Sequence, residues 1–128
     1  MKLKRIHHIA VICSDYQKSK DFYVRILGLT PVQEVYRKER DSYKLDLAVD
    51  GLYQIELFSF PDPPARPSYP EAAGLRHIAF EVENIEEAVR DLAVHDVTVE
   101  DIRVDSLTGK KFTFFADPDG LPIELYER

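Results

Sequence analysis

Along residues 5–13 the β-branched side chains of Ile6, Ile9, Val11 and Ile12 predict a strand. Ser14 or Asp15 then offers a helix cap. Beyond it Ser19, Phe22, Tyr23, Ile26 and Leu27 recur at helical spacing until Gly28 supplies the stop. Residues 31–37, 43–49 and 53–60 predict three further strands, the last two joined by Asp50-Gly51, a hairpin turn signal. The second half repeats this order. Residues 75–82 predict a strand, and Asn84 with Glu87 three positions on resembles a capping box. Ile85, Ala88, Val89, Leu92 and Ala93 form one apolar helical stripe. Residues 97–104, 110–116 and 121–127 predict three more strands, with Asp117-Pro118-Asp119-Gly120 as the final turn. Each half therefore reads β-α-β-β-β.

The halves share words as well as pattern. HHIAVI at 7–12 returns as RHIAFE at 76–81, and IELFSF at 55–60 returns as IELYER at 123–128. A repeated unit of this kind decides the architecture: one domain over 1–128, with a first module at 5–60 and a second at 74–128. Between them PDPPARPSYP, residues 61–70, carries five of the eight prolines. Proline at that density cannot continue a sheet ladder, which makes the stretch a stiff linker. Its alternative role is the rim of a pocket, using Arg66 and Tyr69.

Composition narrows the partners. A chain of 128 residues buries about two-thirds of its unfolded surface and folds without staples. The net charge of −6 argues against nucleic acid, whose phosphates demand a basic face. No apolar run approaches the roughly 18 residues of a membrane span, and charge and His interrupt the basic N-terminus before any signal core develops. The lone Cys13 excludes an internal disulfide and suits a reducing cytoplasm.

The chemistry lies in what the repeat preserves. Each copy opens on a His and closes on a Glu, His8 with Glu56 and His77 with Glu124. Alternation puts His8, Ala10 and Ile12 on one strand face and Ile9 and Val11 on the other; His77, Ala79 and Glu81 stand likewise against Ile78, Phe80 and Val82. The apolar rows can pack beneath the helices, so the His rows face away beside a small Ala. A lone strand His is usually a core or surface residue, and a lone Glu late in a strand is usually solvated. Two of each at matched places are hard to explain that way. Burying a carboxylate among apolar neighbours is costly unless a positive charge pairs with it, and a divalent metal supplies one. Two imidazoles and two carboxylates suit Ni, Co, Fe, Mn or Zn; the absence of thiolates argues against a closed structural zinc site. Four protein ligands on an octahedral ion leave two positions for substrate.

Other candidates are weaker. His7 points opposite His8 and reads as structural, and His95 as a helix C-terminal residue. Cys13 reads as a small buried hydrophobe. Arg37, Arg40, Lys44, Lys110 and Lys111 read as solvated charges, any of which could meet an anionic substrate group.

HHIAVICSDYQKSKDFYVRILGL, IELFSF, GLRHIAFEVENIEEAV and FADPDGLPIELYE together resemble the vicinal oxygen chelate superfamily. Its members include glyoxalase I, methylmalonyl-CoA epimerase, extradiol dioxygenases, and fosfomycin and bleomycin resistance proteins. The stretch ELFSFPDPPARPSYPEAAGLRH is most similar to YaeR-type bacterial proteins, a glyoxalase-like group. The resemblance implies an α+β fold of two paired βαβββ modules whose sheet curves around a metal cleft. It implies His8, Glu56, His77 and Glu124 as metal ligands, from one chain or two, with Ni or Co favoured and Zn, Mn or Fe also fitting. It further implies a homodimer acting on a small oxygen-chelating substrate such as a hemithioacetal. Glu124 is then the first choice for catalytic base, with Glu56 alternating. An epimerase of the same superfamily, or a drug-binding resistance module without catalysis, are the alternatives that this resemblance leaves open.

Overall fold

The computed structural model describes residues 1–128. Its first half runs β1 (Ile9–Cys13), α1 (Tyr16–Asp21), β2 (Thr30–Arg37), β3 (Ser42–Val49) and β4 (Leu52–Ser59). The second runs β5 (Ile78–Val82), α2 (Ile85–Val94), β6 (Arg103–Val104), β7 (Lys111–Ala116) and β8 (Pro122–Glu127). The protein is α+β, with two four-stranded sheets in the orders β1-β4-β3-β2 and β5-β8-β7-β6. In each sheet the first and last strands of the half pair in parallel and the other pairs are antiparallel. Contacts divide the chain into Met1–Pro64 and Ala65–Arg128. No helix is long and apolar enough to cross a membrane.

In the first unit Asp15 settles the choice of cap, its carboxylate accepting the Lys18 N–H at 3.1 Å. The helix then widens into a π-helical turn over Phe22–Ile26, which buries Phe22 and Tyr23. Gly28, at a φ of 77°, takes the left-handed conformation that ends it. The core collects the odd-numbered strand residues Val11, Cys13, Leu45, Leu47, Ile55 and Leu57, all almost fully buried. Asp50 and Gly51 both have positive φ, as a two-residue hairpin requires.

Past that hairpin the ladder is not regular. Val49 pairs with Leu52 and Ala48 with Tyr53, but Leu47 pairs with Ile55. Gln54 is thus an extra residue, a β-bulge in β4. The bulge changes the phase of alternation, so that Tyr53 and Glu56, three apart in sequence, lie on one face.

In the second unit Ile78, Ile85, Leu92, Phe115, Ile123 and Leu125 form the core. Asn84 caps α2 by accepting the Glu87 N–H at 3.0 Å, and the Glu127 carboxylate accepts the Ile85 N–H at 3.0 Å. The β7–β8 ladder pairs Phe112 with Tyr126 through Ala116 with Pro122 without interruption.

Three predicted strands are shorter than expected. The strand read over 97–104 is only Arg103–Val104. Val97 turns its N–H back to Leu92 in the helix end, and the Thr113 hydroxyl takes the Glu100 carbonyl at 2.7 Å, so isolated bonds replace a ladder. The first strand of each half also starts late, just after His8 and His77. Continuing the parallel registers brings those histidines opposite Gln54, the bulged residue, and Pro122, which has no N–H.

Candidate metal centre

Glu56 is set by β4, with Ala10 of β1 on one side and Asp46 of β3 on the other. Glu124 occupies the same place on β8, between Ala79 of β5 and Phe114 of β7. In both units the His lies two residues before the Ala, just ahead of the strand. The methyl side chain leaves the imidazole room to lean across. His8 Nε2 stands 3.5 Å from Glu56 Oε1, and His77 Nε2 stands 3.1 Å from Glu124 Oε2. The carboxylate side chains are only 11% and 14% exposed, the imidazoles 39% and 33%.

These pairs fit a divalent ion. Ligand atoms about 2.1 Å from an ion and at right angles to each other are about 3 Å apart, close to both separations. The donors, imidazole nitrogen and carboxylate oxygen without thiolate, are those of Ni, Co, Fe, Mn or Zn. Each unit supplies one such pair. No third His, Cys, Asp or Glu of its own unit joins either to make a group able to hold an ion.

The surroundings of the two pairs differ. In the first unit Lys44 Nζ lies 2.6 Å from Asp46 Oδ1 and 3.4 Å from Glu56 Oε2. The Tyr53 hydroxyl donates a hydrogen bond to the same Oε2, and its ring stacks with His8 at 5.9 Å between centroids. Burial pushes the Glu56 carboxyl up, but the Tyr53 hydroxyl, Lys44 and His8 outweigh it and hold the group below the usual carboxylate range. Burial, and then the bond to Glu56, push the Tyr53 hydroxyl up. Lys44 is raised chiefly by its hydrogen bond to Asp46. In the second unit aromatic rings replace these charges. His77 meets Phe114 edge to face at 5.1 Å, Phe112 lies beside Phe114, and the Arg103 guanidinium sits 4.9 Å over the Phe112 ring. Neither a lysine nor a tyrosine reaches Glu124.

The family model of the Glyoxalase/Bleomycin resistance protein/Dioxygenase superfamily matches residues 5–125. The chain belongs to this superfamily. Within it the chain is 63% identical over 128 residues to the uncharacterized protein YwkD of Bacillus subtilis, spanning all of both chains. It is 63% identical over 126 residues to the uncharacterized protein YaeR of Escherichia coli, spanning 98% of each. Among solved structures, a glyoxalase family protein from Enterococcus faecalis is 52% identical with a TM-score of 0.90, over 99% of this chain and 100% of that one. The α+β fold and the glyoxalase-type resemblance read from the sequence are thereby shown.

Elsewhere in this superfamily member two expectations change. His7 does not point away from His8: the two Nδ1 atoms are 2.8 Å apart, and His7 packs edge to face on Tyr53 at 5.5 Å. It precedes the ladder, so strict alternation does not govern it. Lys44 is not a free solvated charge but the bridge between Asp46 and Glu56. Arg37 lies over Phe58 and Phe60 at 4.8 and 5.6 Å, with Nη2 donating to the Ser42 hydroxyl at 2.9 Å. Arg40 and Lys110 are exposed, and Lys111 pairs with Glu86 at 2.5 Å. Arg66 Nη2 binds the carbonyls of Leu75 and Arg76 at 2.9 and 3.1 Å, tying the linker to the start of its unit, while Tyr69 is exposed. His95 ends α2 and Cys13 is buried. Sequence reasoning passed over Tyr53 and Asp46. Alternation counted from the Asp50-Gly51 turn sets both on the face opposite Glu56, and only the bulge at Gln54 corrects it.

Proposed function

We propose that the protein is a divalent-metal-dependent lyase or isomerase of the glyoxalase I type, with His8, Glu56, His77 and Glu124 as metal ligands and a hemithioacetal as substrate. The observation that carries this reading is the His–Glu pair found at one register in both units, at ligand-to-ligand spacing and with mostly buried carboxylates. Ni or Co is the favoured ion, and Zn, Mn or Fe meets the same donors. A bound ion supplies positive charge against the anion that develops when a proton leaves carbon beside a carbonyl.

The protein's own part is to hold the substrate carbons still and to move that proton. Glu124 takes it from the carbon bearing sulfur and hydroxyl and returns it to the neighbouring carbonyl carbon, giving a 2-hydroxyacyl thioester isomeric with the substrate. Phe112 and Phe114 give this carboxylate an apolar flank. Extradiol dioxygenases use two His and one carboxylate, and the second Glu favours proton transfer over oxygen chemistry. A homodimer of the cytoplasm, with no nucleic-acid or membrane partner, belongs to the same reading.

The test is protein loaded separately with Ni, Co, Mn or Zn and given methylglyoxal with several thiols. Thioester formation is expected, and Glu124→Gln lowers kcat by about 10²–10⁴-fold. No turnover under any loading would sink the lyase reading. Solvent deuterium entering an otherwise unchanged substrate would move the protein to the epimerases. Small-molecule binding that survives Glu56→Gln and Glu124→Gln, with biological activity intact, would make it a sequestering module.

A further inference from the structure

The two candidate carboxylates differ atom by atom. On Glu56, Oε1 faces His8 Nε2, whereas Oε2 accepts the Tyr53 hydroxyl and lies 3.4 Å from Lys44 Nζ. Lys44 is itself fixed by Asp46 at 2.6 Å. On Glu124, Oε2 faces His77 Nε2, and no lysine or tyrosine takes the second oxygen. The backbone makes this difference. The extra residue Gln54 brings Tyr53 onto the face of Glu56, while the corresponding β7–β8 ladder runs without a bulge and its cross-strand neighbours are Phe112 and Phe114. Bulges re-aim side chains in this way.

We propose that Tyr53, delivered by the Gln54 bulge and assisted by the Lys44–Asp46 pair, is a positioning residue that fixes Glu56 as a one-oxygen ligand through Oε1. The inference rests on the metal reading above and adds a division of labour to it. A carboxylate with one oxygen engaged by Tyr53 and Lys44 keeps its orientation whether or not substrate is present. Glu124, without such a hold, is the one able to leave and carry a proton. Partners that orient a ligand from behind govern metal affinity as well as geometry.

Calorimetric titration of the metal-free protein with Co²⁺, together with the visible absorption of the Co²⁺ form, tests this. Tyr53→Phe weakens Co²⁺ binding by about 10–100-fold and alters the visible bands, because Glu56 loses its fixed attachment. The metal-free variant still melts cooperatively, as a folded protein. The charge-neutral double variant Lys44→Met/Asp46→Asn also weakens binding, in the same direction. Unchanged Co²⁺ affinity and spectrum in Tyr53→Phe would overturn the positioning role and leave the metal reading standing. No Co²⁺ binding by the wild type would overturn both.

Discussion

Asp117 shows what one side chain can do in this fold. Its carboxylate is almost fully buried and accepts the N–H groups of Asp119 and Leu121, each at 2.9 Å. It thereby closes the turn from which β8 carries Glu124. Buried donors left without an acceptor cost about 1–3 kcal/mol each. Asp117→Ala is therefore expected to lower the unfolding free energy by about 2–3 kcal/mol in urea denaturation, while Asp117→Asn, which keeps one acceptor oxygen, loses less. The sequence marked Asp117-Pro118-Asp119-Gly120 as a turn; that its first residue is an interior cap depends on a buried environment no local pattern reveals. The same distinction holds at the candidate centre. His8, Glu56, His77 and Glu124 are legible because the repeat prints them twice. Tyr53, Lys44 and Asp46 occur in one half only and had no echo to give them away.

At the level of elements, the α2 cap follows its sequence signal closely. Asn84 takes the Glu87 N–H, and Ile85 finds the Glu127 carboxylate on β8. Removing the first bond by Asn84→Ala is expected to cost about 1 kcal/mol and to speed hydrogen exchange at the first-turn amides of α2, with Asn84→Asp near wild type. Strand and helix existence was readable throughout because the periods of 2 and 3.6 were strong. Register was not. The Asp50-Gly51 turn starts a ladder that its own sequence cannot keep, since nothing about Gln54 announces that it will be left out. The long strand expected over 97–104 failed for a related reason. β-branched residues such as Val97 and Val99 satisfy a strand pattern, but a strand also needs a partner at every step, and here the helix end and Thr113 take those bonds instead.

The whole molecule is acidic, and its ion pairs set a pH window. Glu34 is held below the usual range by the Lys20 hydrogen bond and then by Tyr16, Glu86 by Lys111, and Asp105 by the Leu107 N–H and then Tyr126. Groups lowered on folding stabilise above their unfolded values, 4.5 for Glu and 3.8 for Asp, and that contribution is lost as pH falls through the folded values. Tyr16, raised by burial and then Glu34, and Tyr36, raised by Asp41, act at the other end. Each favours the folded protein while the unfolded hydroxyl is still protonated, and that advantage fades above its ordinary value of 10.0. Melting temperature is therefore expected to be level between about pH 5 and pH 9 and to drop on both sides, as calorimetry from about pH 3 to about pH 11 would show. The duplication that makes the fold so readable also carries a consequence for how freely its halves can be exchanged. Under the proposed roles of Glu56 and Glu124, a protein assembled from two copies of the first half would own two fastened acids and none at liberty to travel; one assembled from two copies of the second would have nothing to keep its cargo seated. On that proposal, divergence after copying has made the halves complementary, and neither stands in for the other.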